Sequence, residues 1–427
     1  MFRRGIFYTF LPLYLRSFLG MSVTETTLFE TVPMILNIFF QAFVWGKLTD
    51  RLQLRRSLIV VGELMAGVGH FLMWYLHSVT ADPRAAGYVI IAGLTVIEIF
   101  WSMSNIGWSA YISDVYAEDR RNAIQGKLVS VGGMGRIVGA ILGGVLYDGM
   151  QLKYPGWGFQ SGAIFFVAAS VMLVSVIPLL FIPEGGVHYS RQAGAYAERA
   201  GVTVDGQKPC HASASEPVAE KATGGNLRVF AVFLVSIFLI NSGINSMAVF
   251  RSQFLDLPGG FNAMPGTIST VVNVEAVTLI AFGFILGFLG RRFGLPALLL
   301  LGAVSGILSL LLYVVAPSIG FIYLASIFKG ISDASIASSS YAFASVLIPP
   351  NKRGRYFAVY NSTFFLSWGL SATLVTGPLI DLLIKAGRED VIAYKSGLLS
   401  GVALMVLGLT LLLVFFSRVL RAPASKL

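Results

Sequence analysis

The sequence contains one cysteine, Cys210, which excludes an intramolecular disulfide and a metal site built on thiolates. Its histidines, His70, His77, His188 and His211, show no ligand spacing, and no nucleophile and base stand at a plausible catalytic separation. There is no G-x-x-x-x-G-K-[ST] loop to cradle nucleotide phosphates, so nucleotide hydrolysis is not expected. We expect no cleavable leader, because no A-x-A-like end follows the first apolar run. Charge is scarce too: 12% of the 427 residues are Asp, Glu, Lys or Arg, against about a quarter in soluble domains, while 56% are hydrophobic. These numbers exclude a soluble globular enzyme, and neither enzyme activity nor a cofactor or metal is expected.

What the chain has instead is a series of long apolar runs, approximately at 5–20, 28–46, 57–77, 87–110, 125–147, 159–182, 229–250, 267–288, 296–316, 319–347, 357–380 and 394–417. They predict an all-α polytopic membrane protein with twelve transmembrane helices. The net charge of +10 could suggest nucleic acid as a partner, but the positions of the basic residues indicate otherwise. If connection 47–56 is cytoplasmic, 20 Lys and Arg fall on that side and 7 on the other, with Arg3, Arg4, Arg136 and Lys329 in or at the spans. This is the positive-inside bias, so the charge reports orientation. We expect no nucleic-acid partner, both termini in the cytoplasm, and residence in the inner (plasma) membrane of the cell.

Residues 183–226 are rich in Ala, Gly, Ser and Glu and lack a long apolar run. They read as a cytoplasmic linker, mobile apart from a short interfacial helix near Tyr189–Ala200. The linker separates bundles at 1–182 and 227–417, and 418–427 form a cytoplasmic tail. The bundles repeat each other: Arg121 precedes Gly144-Val145-Leu146-Tyr147-Asp148 much as Arg353 precedes Gly377-Pro378-Leu379-Ile380-Asp381, with Arg to Asp separations of 27 and 28 residues. Two related bundles of six helices can enclose a cavity and rock about it, which is the geometry of alternating access.

The connection after the second span reads Gly46-Lys47-Leu48-Thr49-Asp50-Arg51-Leu52-Gln53-Leu54-Arg55-Arg56. It resembles the signature loop of the major facilitator superfamily, in which Gly, Asp-Arg and a terminal basic pair occupy the turn between the second and third helices. The resemblance implies a pseudo-symmetric fold of two six-helix bundles and assigns Gly46, Asp50, Arg51, Arg55 and Arg56 to gating. Gln53 and Leu54 stand where the family has a glycine, from which a looser turn is expected. In the second half, Gly287-Phe288-Leu289-Gly290-Arg291-Arg292-Phe293-Gly294 places Arg291 where the first half has Asp50. The fifth span carries Gly126, Gly135, Gly139, Gly143 and Gly144 and is similar to the glycine motif of the family's exporters, with Ala140 in place of its proline. These glycines suit close helix packing, and the resemblance leans toward antiport. The resemblance extends from about Gly5 to Ser417. Because Gly5–Gly20 would span only about 24 Å, the first helix is expected to start upstream, with Arg3 and Arg4 near mid-membrane.

Ionisable residues inside spans are functional candidates by default, because an unpaired charge in hydrocarbon costs several kcal/mol. Glu98 and Arg136 lie about 24 and 20 Å from the cytoplasmic ends of their helices and are expected to be able to meet. The alternative for them is a purely structural ion pair. Lys329 and Asp333, four residues apart, share a helix face, and Asp333 is the repeat equivalent of Glu98. Two carboxylates beside cations at a cavity could bind a cationic group or take up a proton. Glu275 and Glu63 have no obvious partner in the sequence and each could be a proton site; Glu275 is the deeper, whereas for Glu63, nearer the cytoplasmic end, snorkelling or a packing role is the alternative. Asn37 with Gln41, and Asn241 with Asn245, share helix faces and could bond solute or, more simply, a neighbouring helix. Trp74, Tyr75, Trp101, Trp108 and Trp368 line either the cavity or the interfaces.

These features predict a monomeric secondary transporter moving a small solute or ion by alternating access, coupled to protons, with export by antiport favoured. The alternatives are an uncoupled facilitator or importer and, from another class, a transporter-like sensor or scaffold without transport. Apart from solute and the lipid bilayer, no partner is expected.

Overall fold

A computed structural model describes residues 1–115, 118–185, 227–348 and 353–419, and among them there is no strand. Nearly all of the expected linker, including 189–200, and the tail beyond 419 lie outside the described residues. Twelve helical segments fall on the twelve expected spans. The first, α1, consists of three successive pieces, Arg4–Tyr8, Leu11–Leu13 and Tyr14–Phe18, the outer two wound as π-helix. Segment α2 runs Val23–Phe40, Gln41–Trp45 and Gly46–Leu52 with a π turn in the middle, and is followed by α3 (Arg55–Val79), α4 (Pro83–Val115), α5 (Glu118–Tyr147) and α6 (Ala163–Leu179). The second half comprises α7 (Leu227–Asp256), α8 (Pro265–Phe293), α9 (Leu295–Val315), α10 (Ile319–Leu347), α11 (Arg353–Leu366, Ala372–Thr376, Gly377–Lys385) and α12 (Asp390–Val419).

Among the described residues, eight helices are long and apolar enough on their own to cross a bilayer, and α5 and α6 contribute shorter apolar stretches at Val131–Tyr147 and Ala163–Leu179. Segments α1 and α11 are interrupted by π turns. Large apolar side chains such as Leu72, Val138 and Phe284 stay exposed on the outside, as a lipid-facing surface requires. Within the first half α3 packs on α4 and α6, and α2 on α4; within the second, α7 packs on α12, and α10 on α8 and α9.

The halves meet through α1 against α7, α2 against α11, and α5 against α8. Several of the bonds joining them gather toward the end of the bundle where α2 begins. Gln253 Nε2 donates to Pro12 O at 2.8 Å and to Thr26 Oγ1 at 3.0 Å, and Ser269 Oγ donates to Ala140 O at 2.7 Å. Thr373 shares its hydroxyl with Thr27 and Thr31, each at 2.7 Å. The N-terminus of α2 has four backbone N–H groups without helical partners. Ser22 and Glu25 form a reciprocal capping box, and the N–H groups of Val23 and Thr24 donate to Asp381 of the other half at 2.9 and 2.8 Å.

The glycines of α5 set its distance from α1. A Cβ on Gly139 would lie 2.3 Å from Phe2 O, and one on Gly143 2.8 Å from Ile6 O; reciprocally, one on Gly5 would lie 2.1 Å from Arg136 O. Gly135 faces Phe2 more loosely, and Gly144 turns to α8, where Ser269 Oγ would be 2.3 Å from its Cβ. Helix α5 continues through Ala140 as regular α-helix. The surroundings of Gly126 lie outside the described residues. The turn after α2 is tight rather than loose: only Gln53 and Leu54 separate it from α3, and Gln53 takes φ 57°, the left-handed conformation for which a glycine is suited.

Candidate functional site

At mid-depth, where α1, α2, α5, α7, α8, α10 and α11 approach one another, lies a cavity of about 140 Å³. Its wall carries Arg4, Glu30, Arg136, Arg251, Glu275, Lys329 and Asp333, with Tyr8, Asn245 and Trp368 between them. So many ionisable groups in the apolar centre of a membrane bundle are sustained only by mutual pairing and by access to water.

The pairing differs from the expectation in an instructive way. Glu98 does not meet Arg136. The backbone of α1 lies against α5 at Arg136, and Arg3 of α1 reaches Glu98 instead. Glu98 is completely buried, also accepts from Tyr8 Oη at 2.9 Å and Asn37 Nδ2 at 3.3 Å, and is not among the residues lining the cavity. Arg3 lies near the rings of Tyr8 and Trp101, each centroid 5.7 Å away. Asn37 in turn accepts from Gln41 Nε2 at 2.9 Å, so the α2 pair is bound to its own helix and to α4.

Arg136 points across the boundary to Glu275 of α8, at 3.4 Å. The other oxygen of Glu275 is held by Arg251 of α7, so Glu275, expected to lack a partner, has two. Lys329 and Asp333 form the expected pair at 2.6 Å; Lys329 is buried, while the Asp333 side chain is 22% exposed. The cavity wall thus holds four cations and three carboxylates. Asn245 lines the cavity and donates to Ser367 Oγ at 3.5 Å, whereas Asn241 is buried with Nδ2 unpartnered.

Two cavity residues, Arg251 and Glu30, are not singled out by the sequence pattern. The apolar run breaks near Phe250, so Arg251 looks like the start of a connection, but α7 continues to Asp256 and buries it. Glu30 lies near the start of the second apolar run and forms no ion pair or hydrogen bond among the described residues. Arg4 likewise forms neither; it lies over the Trp368 ring at 4.3 Å, and Trp368 Nε1 is itself buried without an acceptor. Glu63 accepts from Ser104 Oγ at 2.7 Å.

At the loop end, Arg55 donates to Thr49 O at 2.7 Å and to Gln53 Oε1 at 3.1 Å, and Arg56 reaches Ile182 O at 3.0 Å and Glu184 at 3.4 Å. These contacts tie the α2–α3 turn to the end of α6. Arg51 is exposed, Gly46 sits against Gln41 O of its own helix, and the side chain of Asp50 lies outside the described residues.

A family model described as Major Facilitator Superfamily matches residues 1–372. Among solved structures, the nucleoside transporter NupG superposes with a TM-score of 0.67 at 13% identity, covering 99% of this chain and 96% of that one. A bacterial homolog to the human lysosomal transporter Spinster, in an inward-facing and unoccupied conformation, gives 0.69 at 13% identity with coverages of 99% and 96%. A POT family transporter in complex with 5-aminolevulinic acid gives 0.65 at 13% identity, covering 99% and 95%. No curated protein matches the sequence significantly.

Proposed function

From the premise that the chain belongs to the major facilitator superfamily, whose model matches residues 1–372, we propose that it moves a small solute by alternating access, coupled to protons through the carboxylates of its central cavity. The observation that carries this reading is the cavity itself, at mid-depth on the boundary of the halves and lined by both. The bonds of Asp381, Gln253 and Thr373 join the halves on one side of it. A rocking of one half against the other would break this set and open the cavity on that side. The excess of Lys and Arg around the 47–56 connection supports placing that end in the cytoplasm, with both termini on the same side; the membrane we propose is the plasma membrane.

Asp333 is the preferred proton site, because it is both paired with Lys329 and partly exposed to the cavity. Glu275, held between two arginines, is the preferred coupling partner: movement of α5 relative to α8 changes its contact with Arg136 but leaves Arg251 in place. The α5 glycines support a close α1–α5 contact, and export in exchange for protons is the first direction to test. Reconstitution in proteoliposomes provides that test. Solute flux should respond to an imposed pH gradient, and Asp333→Asn should abolish the response. Flux indifferent to pH in the wild type would mark an uncoupled facilitator, and the absence of flux for a broad solute library would support a scaffold.

A further inference from the structure

We propose that the solute carries an anionic group, a carboxylate or a phosphate, received by Arg4 and Arg136 with help from the Trp368 indole N–H. The inference rests on the transport reading above and names the class of solute for the same cavity. Lys329 is matched by Asp333, and Glu275 serves both Arg251 and Arg136, so one carboxylate answers two guanidinium groups. Arg136 is the looser of the two, 32% exposed and 3.4 Å from its oxygen.

Arg4 is not paired at all among the described residues. Its guanidinium lies 4.3 Å from the centre of the Trp368 ring. Stacking on an aromatic face orients a guanidinium without using its N–H groups, which leaves the fork free for two-point recognition of a planar carboxylate or of phosphate oxygens. Trp368 Nε1 adds a buried donor that lacks an acceptor, and buried donors are seldom left so unless something else satisfies them. The unmatched acid on the wall is Glu30. It tells an anionic solute from a cationic one, because its charge opposes the former and favours the latter.

The test uses four benzene derivatives that differ in the charge of their substituent, on purified wild-type protein: benzoate, phenyl phosphate, benzylammonium and neutral benzamide, with binding read by calorimetry and by thermal stabilisation. Benzoate or phenyl phosphate should bind and the other two should not, and which of the two binds tighter separates carboxylate from phosphate. Arg4→Ala should weaken that binding about tenfold or more. If that variant does not fold, Arg4→Lys, which keeps the charge and loses the fork, should weaken it several-fold. Glu30→Gln should tighten anion binding a few-fold.

Binding of benzylammonium, weakened by Glu30→Gln, would overturn the inference, as would failure of both anions to bind wild-type protein. Labelling of a cavity cysteine from both membrane faces is independent of these ligands. If it succeeds while the anions fail, the solute class is wrong and the transport reading stands.

Discussion

Asp381 offers the sharpest test of how the halves are held together. Its carboxylate takes the first two free N–H groups of α2, at Val23 and Thr24, across the boundary between the halves. Hydrogen bonds to a charged group contribute about 1.5–3 kcal/mol each, and a carboxylate at a helix N-terminus adds a few tenths to about 1 kcal/mol. Asp381 is half-buried, so solvent reduces these figures, and a combined contribution of about 2–3 kcal/mol is reasonable. Replacing Asp381 with Ala should therefore raise the opening equilibrium of this seam by roughly 30- to 150-fold. Hydrogen–deuterium exchange of the peptide spanning residues 21–28 reads it directly, since Val23 and Thr24 lose their acceptors while Glu25 keeps Ser22 Oγ. Among the described residues the carboxylate of the repeat counterpart Asp148 bonds only the local N–H of Gln151, at 3.0 Å, so Asp148→Ala should leave that peptide unchanged. Equal exchange in wild type and Asp381→Ala, or an equal effect of Asp148→Ala, would refute the reasoning.

Gly139→Val should separate α1 from α5, because the clash is with Phe2 O and backbone cannot step aside; a loss of about 2 kcal/mol or more is expected, seen as a lower melting temperature in detergent. Gln53→Gly should do the reverse: it relieves a left-handed residue while giving up the Gln53 side-chain contacts, the bond to Arg55 among them, for a net gain of up to about 1 kcal/mol and a small rise in melting temperature. Glu275→Gln alone leaves Arg251 buried without its counter-charge and should cost about 3–5 kcal/mol, whereas Arg251→Met combined with Glu275→Gln should regain much of that stability without regaining flux.

The helices were legible in the sequence because apolar length is a strong, local signal, and the repeat of Gly377 to Asp381 on Gly144 to Asp148 was legible because it is written in residue types. Partnerships were not. Glu98 and Arg136 have suitable depths, but depth along a helix says nothing of which neighbour stands between them, and here α1 does. The short first span puts Arg3 and Arg4 near mid-membrane from length alone, the one clue in the sequence to their part in the buried charges. Arg251 was lost to a boundary: a basic residue after an apolar run looks like the run's end, whereas the apolar Phe254 and Leu255 beyond it show that the helix goes on. Lys329 and Asp333 needed no tertiary knowledge, since helical spacing alone brings them together. The turn at Gln53 shows the opposite case, in which a missing glycine suggested looseness and the surrounding helices imposed the left-handed conformation regardless.

Two-sided access to the cavity is the central claim, and one labelling measurement addresses it most directly. With Cys210, the only native cysteine, replaced by Ser, a single cysteine at Asn245 reports on the cavity wall. Sealed vesicles of both orientations are treated with a membrane-impermeant maleimide. The account predicts labelling from either face, with Asp381→Ala raising the rate on the face where Asp381 lies. Labelling confined to one face under all conditions, in both wild-type and Asp381→Ala backgrounds, would contradict it.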